Sequence, residues 1–201
     1  MIAIVDYGAG NIKSLQFALN KHNLESTLTA DPEVIRDSKA VIVPGVGAFK
    51  DAMDSMNKLE LGKVIKEEAE KGKPTLGICL GMQLFYEKSF EDGSWEGLGL
   101  LKGEVSRITD SVKVPHMGWN TLNIKQDNPV VEGIEEETYV YFVHSYAVSS
   151  YEENTLTAST NYGGTVPAIV QQKNIIGMQF HPEKSGAAGL RLLQNFGEMI
   201  S

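Results

Sequence analysis

Pro74-Thr75-Leu76-Gly77-Ile78-Cys79-Leu80-Gly81-Met82-Gln83 is the stretch on which the reading of the chain turns. Thr75 to Ile78 is a short, mostly apolar run, the pattern of a strand buried in a parallel sheet. Cys79 follows at once, with glycine two positions before it and two positions after. Met82 to Glu87 are good helix formers and carry an apolar stripe. A strand, a lone reactive side chain between glycines and then a helix is the layout of a nucleophile elbow. Its glycines permit a turn too sharp for Cβ-bearing neighbours, and the nucleophile is pushed out at the sheet edge. A thiol at that point meets the positive end of the helix dipole, which favours the attacking thiolate.

Working outward, Cys79 is the only cysteine among 201 residues. No internal disulfide can form, so an intracellular, cytoplasmic setting is expected, and a single cysteine with histidines elsewhere is a candidate nucleophile. The competing account is a small buried hydrophobe; Gly77 and Gly81 tip the balance towards chemistry. The net charge of -8 argues against a nucleic-acid binder, which would show a basic face. No apolar run approaches the length of a membrane span. Met1 to Val5 is apolar, but Asp6 ends it and no basic residues precede it, so it does not read as a signal peptide. Gly8 and Gly10 suggest a dinucleotide fingerprint, yet Lys13 stands at the third glycine position, and a tight strand-to-helix turn is the better account. No cofactor and no metal site is expected.

Taken in order, the first half alternates strand and helix. Ile2 to Val5 reads as a strand, about Ile12 to Lys21 as a helix and Glu25 to Thr29 as a strand. A short helix follows, capped by Asp31 with Pro32 at its first position. Ala40 to Val43 is a third strand, running into the loop Pro44-Gly45-Val46-Gly47. Helical pattern fills Lys50 to Lys71, with a break at Leu61-Gly62, before the elbow strand. This order predicts an α/β fold with a doubly wound, mostly parallel sheet, helices on both faces and ligands at the carboxyl ends of the strands. After about Phe90 the texture changes to short alternating segments: Asn120 to Ile124, Thr138 to Val143, Thr155 to Ser159, Val166 to Gln171 and Ile175 to Phe180. The last two suit a hairpin turned at Gln172-Lys173-Asn174. These segments are expected to add antiparallel strands to the one sheet, within a single domain over 1–201. A final helix from about Gly186 to Met199 should turn Leu190, Leu193 and Ile200 to the sheet.

A thiolate performing acyl transfer needs a base to activate it and an acid for the leaving group, and one histidine serves for both if a third group fixes its tautomer. His22 reads as a surface residue. His116 lies in a stretch that reads as a loop, Pro115 to Asn120, with no carboxylate near it in sequence. His181 is followed by Pro182-Glu183. Pro182 ends a strand there, and in extended chain residues two apart share a side, so Glu183 can accept the His181 ring N–H. That favours His181 and leaves His144, at the end of an apolar strand, as runner-up. The Pro44–Gly47 loop can offer an N–H to an oxyanion, with the N–H of Leu80 as second donor.

Gly77-Ile78-Cys79-Leu80-Gly81-Met82-Gln83 with His181-Pro182-Glu183 resembles the class I (triad) glutamine amidotransferases, and Pro44-Gly45-Val46-Gly47 sits where that family carries its oxyanion loop. The resemblance runs the full length. It implies a triad of Cys79, His181 and Glu183, an oxyanion hole at Val46 and Leu80, and contacts from Gly45, Gly47, Gln83, Ser145 and Tyr146 to L-glutamine. Three further stretches, Asp6 to Asn11, Pro115 to Asn120 and Phe142 to Tyr146, are similar to the branch serving imidazole glycerol phosphate synthase in histidine biosynthesis. That likeness implies a heterodimer with a TIM-barrel cyclase subunit, with Asn11 and Trp119 at the interface. The alternatives are the glutaminase of another synthase, for anthranilate or aminodeoxychorismate, and a silent flavodoxin-like binding module.

Overall fold

The structure, a computed structural model, describes residues 1–8, 10 and 12–200. The first half runs β1 (Ile2–Val5), α1 (Ile12–Asn20), β2 (Ser26–Thr29), α2 (Pro32–Asp37), β3 (Ala40–Val43), α3 (Phe49–Lys58), α4 (Leu61–Glu70) and β4 (Thr75–Ile78). Asp31 caps α2 by accepting from Glu33 N at 2.9 Å, with Pro32 in the first turn. The break between α3 and α4 falls at Glu60, whose left-handed backbone (φ 57°) stops the helical run. Then come α5 (Leu80–Leu84), β5 (Tyr86–Ser89), β6 (Trp95–Glu96), β7 (Leu101–Arg107), β8 (His116–Thr121), β9 (Asn123–Ile124), β10 (Tyr139–His144) and β11 (Tyr146–Tyr151). The chain ends with β12 (Leu156–Asn161), β13 (Thr165–Gln172), β14 (Ile175–Met178) and α6 (Gly186–Glu198).

The main sheet has the order β2-β1-β3-β4-β14-β13-β12-β9, parallel from β2 to β14 and antiparallel beyond. Every residue of β1, β3 and β4 is buried, as strands covered on both faces must be. Alternation sorts them: Ala3, Val5, Val41 and Val43 pack with α2 to α5, while Ile2, Ile4, Ala40, Ile42, Leu76 and Ile78 pack with α1 and α6. Helices therefore cover both faces, and the carboxyl ends of β1, β3, β4 and β14 open on one edge. No helix among the described residues is long and apolar enough to cross a membrane.

Four local expectations are corrected. The helix after Cys79 begins at Leu80 and lasts five residues. Tyr86 and Glu87 belong to β5, because Tyr86 is fully buried and pairs with Leu101, and burial outweighs helix propensity. Only β9, β12 and β13 extend the main sheet antiparallel. β14 returns parallel to β4, and the remaining strands form a two-stranded sheet (β8, β10) and a four-stranded one (β11-β7-β5-β6). Residues from His116 are strand rather than loop. On α6 Leu193 is fully buried as expected, but so are Leu192 and Phe196, while Leu190, and Ile200 beyond the helix end, are only half-buried against the same core. The hairpin is as read: Gln172 pairs with Ile175, and Lys173 takes φ 54° in the turn.

Candidate active site

Cys79 stands between β4 and α5 with φ 55° and ψ -112°, a conformation L-residues rarely adopt and one that surrounding structure must enforce. The enforcement is visible. β4 is laddered to β3 and β14, and Cys79 N donates to Met178 O at 2.7 Å. The strain sits on Cys79 itself, since neither Gly77 nor Gly81 has a positive φ. The glycines supply room instead. A Cβ on Gly77 would lie 2.6 Å from Met82 N, and one on Gly81 would lie 1.8 Å from Val43 O.

His181 is buried, and its Nδ1 lies 2.9 Å from Glu183 Oε1. The reason is not the extended alternation expected. β14 stops at Met178, and Pro182–Lys184 form a 3-10 turn that folds the carboxylate back onto the ring. His181 N donates to Tyr141 O at 3.0 Å, which anchors the segment. The other ring nitrogen, Nε2, is buried without a partner of full hydrogen-bond geometry. Burial works against charge on this ring, but interactions with Cys79 and Glu183 outweigh it and raise the pKa to about 9. A folded value above the ordinary 6.5 means stability fully present below about pH 6.5 and lost as pH rises through about 9. Glu183→Gln removes one of the two raising influences. The basic limb of the enzyme's kcat/KM pH profile is therefore expected to move down by about one pH unit. A limb that stays in place would assign it to another group.

His144 takes no part in that pairing. Its Nδ1 lies 2.8 Å from Tyr146 O, and its Nε2 lies 3.0 Å from His116 Nδ1. A carbonyl accepts only, so His144 Nδ1 carries the hydrogen and Nε2 accepts from His116; His116 Nε2 in turn accepts from Asn120 Nδ2 at 3.2 Å. Burial lowers the pKa of both rings to about 4, leaving them neutral at pH 7. His144 is thus a hydrogen-bonded wall of the site.

A cavity of about 310 Å³ opens beside Cys79 and brings together Val46, Gly47, Leu80, Gln83, Ser145 and Tyr146 from three distant segments. Leu80 is the first residue of α5, where an N–H has no intrahelical acceptor. Gly45, expected among the substrate contacts, is buried and does not line this cavity. A Cβ there would come within 2.6 Å of Tyr7 Oη and 2.8 Å of Gly81 N, so glycine lets the loop lie against α5. Tyr7 Oη donates to Pro44 O; burial first, and the charge of Cys79 second, raise its pKa, keeping it protonated as that donor. Asn11 lies outside the described residues. Trp119 projects from the outer face of β8, 55% exposed, in the company of exposed Met117 and Tyr139.

Two residues escaped the sequence reading. Gln179, fully buried, donates from Nε2 to Cys79 Sγ at 3.7 Å and accepts from Gln83 Nε2 at 3.0 Å. A polar residue inside the apolar run Ile175 to Phe180 was the available signal. Glu91 lines the cavity and accepts from Phe49 N at 2.8 Å, with burial raising its pKa. Nothing local marks it, because a glutamate in a loop is ordinary.

A parallel sheet with an elbow cysteine and a His–Glu pair at its carboxyl edge defines a class of amide-cleaving enzymes. The chain belongs to the class I glutamine amidotransferases, whose family model matches residues 3–199. Imidazole glycerol phosphate synthase subunit HisH of Oceanobacillus iheyensis is 65% identical over 200 residues, covering 100% of both chains. The protein of the same name from Caldanaerobacter subterraneus is 50% identical over 200 residues, covering 100% of this chain and 98% of its own. Identity at that level over the whole length places the chain among the HisH proteins. A glutamine amidotransferase crystal structure superposes with a TM-score of 0.79 at 20% identity, covering 100% of this chain and 99% of that one, a likeness of fold alone.

Proposed function

We propose that the chain is the glutaminase subunit of an imidazole glycerol phosphate synthase, with Cys79, His181 and Glu183 as its triad. The observation that carries this reading is the His181–Glu183 pair at 2.9 Å beside a strained elbow cysteine that opens on a cavity of about 310 Å³. Cys79 Sγ attacks the side-chain amide carbon of L-glutamine. The carbonyl electron pair moves onto oxygen, which the N–H groups at Leu80 and Val46 receive. His181, steadied by Glu183, gives its proton to the amide nitrogen as the C–N bond breaks. Ammonia leaves and a γ-glutamyl thioester remains. The neutral imidazole then takes a proton from water, whose oxygen attacks the thioester, and glutamate departs with the thiol restored. Gly47, Gln83, Ser145 and Tyr146 line the glutamine site, Gly45 lets its loop close, and Glu91 offers a carboxylate to the substrate's ammonium.

Ammonia is a nucleophile only while unprotonated, so release into water wastes it. The relatives' names include the word subunit, which supports a partner. In this reading the partner is the TIM-barrel cyclase subunit, bound as a heterodimer in the cytoplasm, and ammonia passes through it to complete imidazole glycerol phosphate and an aminoimidazole carboxamide ribotide. The exposed Trp119, Met117 and Tyr139 on the β8–β10 sheet suit such a contact, because aromatic and methionine side chains anchor interfaces. In this reading Asn11 takes part in the same contact as Trp119. The test is glutamine hydrolysis by the purified chain, with and without a cyclase subunit holding a substrate analogue. Low basal turnover and at least about tenfold stimulation are expected, from ordering of the Pro44–Gly47 loop. Equal turnover in both conditions would refute the coupling.

A further inference from the structure

Gln179 stands between the Cys79 sulfur and Gln83, and the triad scheme makes no use of it. Its side chain is fully buried, and its main-chain N–H is taken up by Ala168 O at 2.9 Å. The orientation of its carboxamide follows from one fixed point. Tyr146 O is a main-chain carbonyl and accepts only, so the Gln83 atom 2.9 Å from it is the amino nitrogen. That same nitrogen faces Gln179 at 3.0 Å, and Gln179 must answer with its oxygen. The Gln179 amino group is left facing Cys79 Sγ at 3.7 Å. Partners at both ends hold a buried amide in one orientation rather than two.

We propose that Gln179 is a further working residue of amide cleavage: its amino group donates to the Cys79 sulfur, and Gln83 sets that aim. A single hydrogen-bonded line then runs from Tyr146 O in the cavity wall through Gln83 and Gln179 to the nucleophile. This inference rests on the glutaminase reading of the site. The contact transfers no proton, since a carboxamide neither gives nor takes one at neutral pH. It holds the sulfur in position for attack, so its effect falls on turnover rather than on glutamine binding.

Two variants test it in the complex with the cyclase subunit. Gln179→Met removes the donor in a similar volume, and Gln179→Glu puts an acceptor in its place. We expect kcat for glutamine hydrolysis to fall about tenfold in the first and about 100-fold in the second, with KM within about threefold of wild type. Alkylation by iodoacetamide, followed as the mass increase of this subunit, reads the sulfur directly, because Cys79 is the only cysteine in the chain. Its rate should fall in the same order, by about fivefold and about 30-fold. Alkylation within about twofold of wild type in a folded variant overturns the proposal, whatever happens to kcat. If Gln179→Glu does not fold, Gln179→Met decides by the same criterion. A wild-type complex that hydrolyses no glutamine would sink the glutaminase reading instead, and the alkylation rates would still decide whether Gln179 acts on the sulfur.

Discussion

Cys79→Ala is expected to lower glutamine hydrolysis by about 10⁴-fold or more, while the complex keeps its ability to use added ammonia. The two halves of that result separate chemistry from architecture. Alanine removes the only atom that forms the thioester, and no other thiol exists to replace it. Cys79 is buried, with its sulfur against Val143 O and Gln179 Nε2, so losing one sulfur leaves a small void and little else. The fold and the proposed partner surface on β8 and β10 should survive. A glutaminase assay paired with an ammonia-driven synthase assay checks both halves. Substantial glutamine-dependent turnover by the variant would remove Cys79 from the mechanism. Loss of both activities would instead show that the substitution had damaged the subunit or its docking.

The second large effect concerns stability. Gly81→Ala should destabilise the chain by about 4 kcal/mol or more, or prevent folding. The added Cβ would sit 1.8 Å from Val43 O and 2.7 Å from Val43 C, both main-chain atoms of β3. Neither can swing away as a side chain would, so α5 would have to lift off the sheet and carry the elbow with it. Gly72 gives the contrast. Its φ is 95° with nothing within 4 Å, so alanine there meets backbone strain alone, on the order of 1 kcal/mol. Denaturant unfolding of the two variants compares a collision with a strained dihedral. A loss at position 81 no larger than that at position 72 would mean that the α5–β3 contact yields.

These cases mark where a linear reading stops. Buried strands are legible because a parallel sheet covered on both faces requires unbroken apolar runs, and Ile2–Val5, Ala40–Val43 and Thr75–Ile78 are such runs. The elbow is legible because its chemistry is compressed into five residues around Cys79. The pairing of His181 with Glu183 is legible in outcome but not in cause: the two are neighbours in sequence, and the 3-10 turn that joins their side chains is a local conformation the alternation rule misassigns.

What lay beyond the sequence was whatever depends on distance between segments. Gly77 and Gly81 look like partners in one sharp turn, yet Gly81 is required by Val43, which sits on another strand, and the left-handed backbone belongs to Cys79. Gln179 and Glu91 become site residues only when β14 and the loop after β5 are brought beside the nucleophile and the start of α3. His144 and His116 are settled as neutral by burial that no stretch of sequence records. Covalent neighbours and periodic burial are properties of the chain, and so it announced its strands, its nucleophile and its family. Desolvation and close approach are properties of packed surfaces, and so the orientation of each amide, the charge of each imidazole and the need for each glycine were decided only on folding.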